Sequence, residues 1–149
     1  MAVVYLSLGT NLGNKEENLN KAVEKINDKI GKVTSLSSFY ETAPWGFESD
    51  NSFLNAAACV ITEHKPLEVL ELTQLIEKEL GRTLKSTDGV YHDRLIDIDI
   101  LIYDDLILDT PQLKVPHPLM TERDFVMNPL HEIAPELVNP LTGKKLFSN

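Results

Sequence analysis

Two aspartates in the segment RLIDIDILIY, residues 94–103, have the spacing that most directly suggests chemistry. Side chains alternate along a β-strand, so Asp97 and Asp99 share one face. Their Cα atoms are then about 7 Å apart, which lets both carboxylates converge on a cation. Mg²⁺ prefers one or two carboxylates together with phosphate oxygens, and this pair fits that preference. A half-exposed strand with two solvated aspartates is the alternative. The opposite face of this strand carries Ile96, Ile98, Ile100 and Ile102.

One further local feature, His117, could contribute to a binding site, and two others are expected to be structural. His117 stands between Pro116 and Pro118, and the two prolines restrict the backbone and so could aim the imidazole at a phosphate. A structural loop histidine explains the same pattern. Cys59 lies in the apolar run AAACVI and is expected to be a core residue. The segment from Gly9 to Gly13 does not match the phosphate-binding loop template and is expected to be a structural turn.

Aromatic side chains occur beside polar ones in three separate segments. Trp45 follows Pro44, Phe53 precedes Asn55, and Phe125 comes shortly after an arginine. Two aromatic rings with a neighbouring amide can hold a flat heterocycle. Burial in the core is the alternative explanation for each ring.

Composition limits the class of protein. The 149 residues suffice for one domain, expected to span residues 1–149, and 42% of them are hydrophobic. The net charge of −9 disfavours nucleic acid and anionic membranes as partners. No apolar run reaches the roughly 18 residues of a membrane span. The single cysteine excludes an internal disulfide and a multi-cysteine zinc site, so a reducing, cytoplasmic location is expected.

The elements that must position these residues follow a β-α-β-β-α-β order. This order predicts an α+β, ferredoxin-like fold, in which an antiparallel sheet carries two helices on one face. The predicted strands are Val3–Leu8, Val33–Thr42, Phe53–Ile61 and Leu95–Tyr103. A first helix follows an Asn14 N-cap and ends at Gly31, and a second runs from Pro66 to Gly81. The apolar stripe of the second helix is expected at Leu67, Leu70, Thr73 and Leu80.

The remainder of the chain, from Asp104 onward, is rich in proline. It is expected to form a loop-rich C-terminal extension with one more helix around Glu122–Ile133. Loops held on a compact sheet are a common place for binding sites.

Five segments in order resemble one family over nearly the whole chain. They are LSLGTNLGN, SSFYETAPWG, FLNAA, DRLIDIDIL and VPHPLMTERDFVMNPLHEIAPEL. The chain resembles the 6-hydroxymethyl-7,8-dihydropterin pyrophosphokinase family of the folate pathway. The resemblance implies a ferredoxin-like core and transfer of the terminal pyrophosphoryl group of ATP to the hydroxymethyl group of the pterin, with release of AMP. A non-catalytic ferredoxin-like module that binds a small ligand or metal is the alternative.

The resemblance also implies roles for individual residues. Asp97 and Asp99 are expected to bind two Mg²⁺ ions that bridge the triphosphate, and Arg82 and Arg94 to stabilise charge on the transferred group. The residues expected at the pterin are Thr42, Ala43, Pro44, Trp45, Phe53, Asn55 and Phe125. The residues expected at ATP, which is a co-substrate, are Gln74, Glu77, Lys85, Ile100, Leu113, Lys114, His117 and Arg123. The polar segment 82–93 is expected to close over the bound substrates. The expected partners are the two small-molecule substrates, and the expected state is a monomer.

Overall fold

The computed structural model describes residues 1–42, 52–81 and 96–147, which contain seven strands and three α-helices. The strands are β1 Ala2–Thr10, β2 Gly31–Leu36, β3 Tyr40–Thr42, β4 Phe53–Thr62, β5 Asp97–Tyr103, β6 Leu108–Asp109 and β7 Lys114–Val115. The helices are α1 Lys15–Lys29, α2 Pro66–Gly81 and α3 Asp124–Ile133, and a short 3-10 helix, Met120–Glu122, precedes α3.

The main sheet has the strand order β2-β4-β1-β5, and β3 also pairs with β4. Every pairing within this sheet is antiparallel, and β6 and β7 form a separate two-stranded sheet. The prediction of an α+β protein with an antiparallel sheet is therefore confirmed. No helix in the described ranges is both long and apolar enough to cross a membrane.

One face of the sheet packs against α1 and α2. Leu6 and Leu8 of β1 lie in the same buried cluster as Leu19 and Ile26 of α1 and Ile76 of α2. These side chains expose 1% of their surface or less, so this face is a continuous apolar core. The two predicted helices thus share one face, as expected.

The opposite face packs against α3 over part of its area. Val126 and Leu130 of α3 and Met120 of the 3-10 helix cover Ala57 of β4 and Leu101 of β5. The third predicted helix is confirmed, and it places the C-terminal segment on the face that α1 and α2 leave open.

A β-bulge corrects one prediction about β5. Leu6 pairs with Ile100, whereas Tyr5 pairs with Ile102, so Leu101 is an extra residue in the ladder. Leu101 and Ile102 consequently both pack in the α3 cluster. The expectation that Ile102 faces the same side as Ile100 is wrong, because strict alternation ends at the bulge.

The strands near the site also differ from the predicted bounds. The single strand expected over Val33–Thr42 is divided into β2 and β3, because the Ser37 hydroxyl accepts the Ala57 N–H at 2.8 Å and interrupts the main-chain ladder. Strand β1 continues through Gly9 to Thr10, so the turn expected from Gly9 begins only after Thr10.

The structure also tests the predicted N-cap of α1 and the predicted buried stripe of α2. The Asn14 side chain accepts the Glu17 N–H at 3.1 Å, which confirms the N-cap of α1. In α2 the buried residues are Val69, Thr73 and Ile76, while Leu67 is 46% exposed. The predicted stripe was wrong at Leu67, which lies in the first turn and points to solvent.

Candidate active site

The candidate site lies on the α3 side of the sheet, where three strands align polar residues in two rows. In the first row, Gly9 of β1 pairs with Asn55 of β4 on one side and Asp97 of β5 on the other. In the second row, Ser7 lies between Ala57 and Asp99. Paired residues of an antiparallel sheet project to the same face. The sheet therefore places the asparagine about 10 Å from the first aspartate, two strand spacings away.

The two aspartates occupy the predicted positions on β5. Both side chains are half-buried, whereas Ile98 between them is buried against the helices. Within the described ranges, no group of three or more His, Cys, Asp or Glu side chains could hold a metal ion. Two carboxylates on one face fit the pattern of Mg²⁺ sites that are completed by phosphate oxygens and water.

Gly9 forms the floor of the site beside the aromatic ring of Phe53. A Cβ atom at Gly9 would lie 2.9 Å from Oδ1 of Asn55 and 4.0 Å from Cδ1 of Phe53. The Asn55 amide group donates a hydrogen bond to the Thr42 hydroxyl at 2.9 Å. The absence of a side chain at Gly9 therefore allows Asn55 and Phe53 to lie over the strand, and Thr42 orients the amide.

Glu77 of α2 approaches the free edge of β5. Its Oε2 accepts the Ile98 N–H at 2.8 Å. Burial raises the pKa of Glu77 to about 7, and the negative charges of Asp97 and Asp99 add to this increase, while the Ile98 N–H bond opposes it. The negative charges of the aspartate pair thus favour the protonated form of Glu77 at the sheet edge.

His117 lies close enough to both Asp97 and Arg123 to interact with them electrostatically. Burial lowers the pKa of His117, the Arg123 charge lowers it further, and the Asp97 carboxylate acts in the opposite direction. His117 Nδ1 accepts the Leu119 N–H at 3.2 Å, so the neutral ring carries its proton on Nε2. The ring is therefore a neutral hydrogen-bond donor at pH 7.

Phe125 lies in the first turn of α3, which packs on the same face of the sheet as the site. It packs partly buried against the α3 cluster, and the guanidinium carbon of Arg123 lies 5.6 Å from the centre of its ring. This is a cation–π distance. The contact holds the arginine at the start of α3, beside the face that carries Asn55 and Asp97.

The other residues expected at the nucleotide lie in different surroundings. Gln74 is exposed one turn before Glu77, on the same side of α2. The side chains of Ile100 and Leu113 are buried in the helix-side core, so only their backbone could meet a ligand. Lys114 is exposed and forms a surface ion pair with Asp109 at 3.7 Å.

Six of the expected site residues lie outside the described residues. They are Ala43, Pro44, Trp45, Arg82, Lys85 and Arg94. The segment 82–93, expected to close over the substrates, lies outside them as well.

Sequence reasoning missed Gly9 and Ser7 as site residues. Gly9 was interpreted as a turn glycine, although the run from Ala2 to Thr10 is one strand. The alternation of β1 offers the signal, because Tyr5, Ser7 and Gly9 share the face opposite Leu6 and Leu8. Only the register with β4 and β5 shows that these small residues lie between Asn55 and the aspartates.

Comparison with known proteins decides the family. The family model for 7,8-dihydro-6-hydroxymethylpterin-pyrophosphokinase (HPPK) matches residues 5–135. The chain belongs to the HPPK family. The residues matched by the family model include both aspartates, Asn55, His117 and Phe125. The site described above therefore lies wholly inside the matched range.

Relatives and solved structures agree with this assignment. The chain is 53% identical over 138 residues to the 2-amino-4-hydroxy-6-hydroxymethyldihydropteridine pyrophosphokinase of Porphyromonas gingivalis, covering 92% of this chain and 94% of that protein. It is 43% identical to the enzyme of the same name from Bacillus subtilis, over 95% of this chain and 83% of that one. The fold of wild-type Plasmodium falciparum HPPK-DHPS matches with a TM-score of 0.75 at 18% identity. That match covers 97% of this chain but only 43% of the solved chain.

Membership of the HPPK family favours an enzyme over the alternative of a non-catalytic binding module. The relatives from Porphyromonas gingivalis and Bacillus subtilis are pyrophosphokinases that match this chain over most of their length. The HPPK assignment rests on the sequence and is thus independent of the geometry of the site.

Proposed function

We propose that this protein transfers the terminal pyrophosphoryl group of ATP to the hydroxymethyl group of 6-hydroxymethyl-7,8-dihydropterin in folate biosynthesis. The products are AMP and the pterin diphosphate. The observation that carries this proposal is the row Asn55–Gly9–Asp97, which puts a heterocycle-binding amide and a cation-binding carboxylate on one face of three neighbouring strands.

The pterin binds at the β4 end of this row. Phe53 and Phe125 stack on its ring, Asn55 pairs with its polar edge, and Thr42 holds the amide in place. Ala43, Pro44 and Trp45, which lie outside the described residues, are proposed to contact the pterin on the basis of the family resemblance. Asn55 is 3% exposed, so an amide with no ligand partner would cost free energy there. This requirement makes Asn55 selective for a ring with complementary donors and acceptors.

The triphosphate binds at the β5 end. Asp97 and Asp99 hold two Mg²⁺ ions in this proposal, and bound Mg²⁺ neutralises phosphate charge and polarises the reacting oxygens. His117 donates its Nε2–H to a phosphate oxygen, since its lowered pKa keeps the ring neutral and its Nδ1 is occupied. Arg123, together with Arg82 and Arg94, stabilises the negative charge of the transferred group. Gln74 and Glu77 contact the nucleotide along the outer edge of β5, with Lys114 and the backbone of Ile100 and Leu113. Lys85, which lies outside the described residues, is also proposed to contact the nucleotide.

The reaction needs alignment more than covalent chemistry from the protein. The pterin oxygen forms a bond to the β-phosphorus while the bond from that phosphorus to the α–β bridging oxygen breaks. AMP leaves with the bridging oxygen, and the hydroxyl proton is released. Residues on three adjacent strands can align the two substrates because the sheet fixes their spacing.

The structure also supports proposals about topology, domain extent, location and oligomeric state. With β3 set aside, the order β2-β4-β1-β5 and its antiparallel pairings support a ferredoxin-like topology for one domain of residues 1–149. The residues from Asp104 onward form a C-terminal extension in this proposal, and α3 covers part of the open sheet face. The buried, single Cys59 suits a reducing cytoplasm, and we propose a monomer because the site is built within one chain.

The experiment that tests the function is a product analysis. Purified protein is incubated with ATP, Mg²⁺ and hydroxymethyl-dihydropterin, and the nucleotides are separated by chromatography. We expect AMP in equal amount to the pterin diphosphate, and none when the pterin is omitted. ADP as the stoichiometric product, or no turnover by folded protein, would overturn the proposal.

A further inference from the structure

Glu132, near the end of α3, accepts three hydrogen bonds from Ser38, which lies between β2 and β3, and from Tyr40, the first residue of β3. Its Oε2 accepts the Ser38 N–H at 2.9 Å and the Ser38 hydroxyl at 3.2 Å. Its Oε1 accepts the Tyr40 hydroxyl at 2.6 Å. These hydrogen bonds, led by that of Tyr40, lower the pKa of Glu132, so the carboxylate is charged at neutral pH. We name this set of contacts among Ser38, Tyr40 and Glu132 the α3–β3 bridge.

The α3–β3 bridge joins α3, which carries Phe125, to β3, which pairs with β4, the strand that carries Phe53. Phe125 and Glu132 are seven positions apart on α3, so they lie on one helix face about 10 Å apart along the axis. Tyr40 and Thr42 project to the same face of β3. Thr42 pairs with Phe53 in the ladder and accepts the hydrogen bond of Asn55.

The bridge is not needed to hold either element on the sheet. Strand β3 is already paired with β4 at three positions, and α3 is anchored by the fully buried Leu130 and by Val126. Glu132 itself is exposed, and exposed polar contacts contribute little to folding stability. The three hydrogen bonds on Glu132 therefore constrain the position of α3 relative to β3 more than they stabilise the folded protein.

We propose that Glu132 is a positioning residue for pterin binding, which fixes the separation of Phe53 and Phe125 by holding α3 against β3. The inference rests on the proposed function, because it requires the pterin to stack between these two rings. Tyr40 is its main partner, since its hydroxyl makes the shortest of the three hydrogen bonds. ATP binding, at the β5 side, does not depend on this distance.

The test compares Glu132→Ala and Tyr40→Phe with the control Glu136→Ala. Glu136 is another exposed carboxylate of the C-terminal segment, and it pairs with Lys145 away from the proposed site. Calorimetry measures the Kd of the pterin in the presence of a non-hydrolysable ATP analogue and Mg²⁺, and steady-state kinetics gives KM for ATP. Both bridge variants should weaken pterin binding about tenfold, because each removes the short hydrogen bond between Tyr40 and Glu132. The KM for ATP and the melting temperature should stay near those of the control.

The double variant Glu132→Ala/Tyr40→Phe sharpens the result. It should bind the pterin as weakly as Glu132→Ala alone, because both changes remove the same bridge. Unchanged pterin Kd in Glu132→Ala would overturn the inference, and so would equal losses for pterin and ATP together with a lower melting temperature. The wild-type protein is assayed for AMP formation in parallel. If it binds the pterin but forms no AMP, the proposed function is refuted, while the pterin Kd values still test the role of the bridge.

Discussion

The two faces of the sheet use the same strands for different purposes. On the helix side, Leu6 and Leu8 of β1 are buried to 1% exposure or less beneath α1 and α2. On the α3 side, the alternate positions of the same strand are Ser7 and Gly9, which lie between Asn55 and the two aspartates. One face thus supplies apolar burial, and the other supplies small and polar groups that a ligand can approach.

The difference shows how a strand can combine stability with reactivity. Like charges on one face repel, and aspartate is a poor strand former, so Asp97 and Asp99 weaken β5. Ile98 and Ile100 alternate with them and are buried in the helix-side core, which keeps the strand in place. Changes on the two faces should therefore separate activity from stability.

The largest expected effect is on activity. Replacing Asp97 or Asp99 with asparagine should slow the chemical step about 10²–10³-fold, because one charge that binds Mg²⁺ is lost. The melting temperature of the metal-free protein should stay the same or rise, since a like-charge repulsion is removed. Single-turnover kinetics and calorimetry measure the two effects. Near-normal turnover in both variants would show that the pair is only a solvated strand surface.

A change on the helix side of the sheet should affect stability and leave activity intact. Leu6→Ala removes a fully buried side chain from the helix-side core and should lower the free energy of unfolding by about 2–5 kcal/mol. Its kcat at a temperature where the protein stays folded should equal that of the wild type. Urea denaturation gives the first quantity. A large fall in kcat at full folding would mean that the two faces are coupled.

A smaller effect is expected at the floor of the site. Gly9→Ala places a Cβ atom 2.9 Å from Oδ1 of Asn55, so the amide must move. Pterin affinity should fall about tenfold, equivalent to about 1.4 kcal/mol, and Asn55→Ala should cost about 1–3 kcal/mol through an unpaired ligand group. Gly81→Ala is the matched control, because nothing lies within 4 Å of its Cβ position. Equal affinities in Gly9→Ala and the control would contradict this placement of the pterin.

A pH dependence of stability is expected at the sheet edge. The pKa of Glu77 is about 7 in the folded protein against 4.5 as its ordinary value, so the folded state binds the proton more tightly. The resulting stability is fully present below about pH 4.5 and is lost as the pH rises through about 7. In EDTA, the melting temperature of the wild type should therefore fall across this range more than that of Glu77→Gln. Parallel profiles for the two proteins would refute the coupling.

Local sequence patterns predicted much of this arrangement. The Asn14 cap, the order of β1, α1, β2, β4, α2 and β5 and the shared face of Asp97 and Asp99 follow from spacing alone. The resemblance to a known family predicted residues such as Asn55 and Phe125, which no local pattern brings together.

Features that depend on pairing register could not be predicted in this way. The bulge at Leu101 turns Ile102 to the α3 side, and the hydroxyl of Ser37 divides one expected strand into β2 and β3. The role of Gly9 depends on two neighbouring strands that are distant in sequence. The α3–β3 bridge spans 92 residues between Tyr40 and Glu132, and nothing near either residue indicates the other.

The most direct test of the account is a crystal structure of the protein with Mg²⁺, a non-hydrolysable ATP analogue and hydroxymethyl-dihydropterin. The account predicts the pterin ring between Phe53 and Phe125, with its polar edge at Asn55. It also predicts metal density in contact with the carboxylates of Asp97 and Asp99, all on the α3 side of the sheet. Ligands bound on the helix side, or a metal in contact with neither aspartate, would contradict the assignment of chemistry to this face.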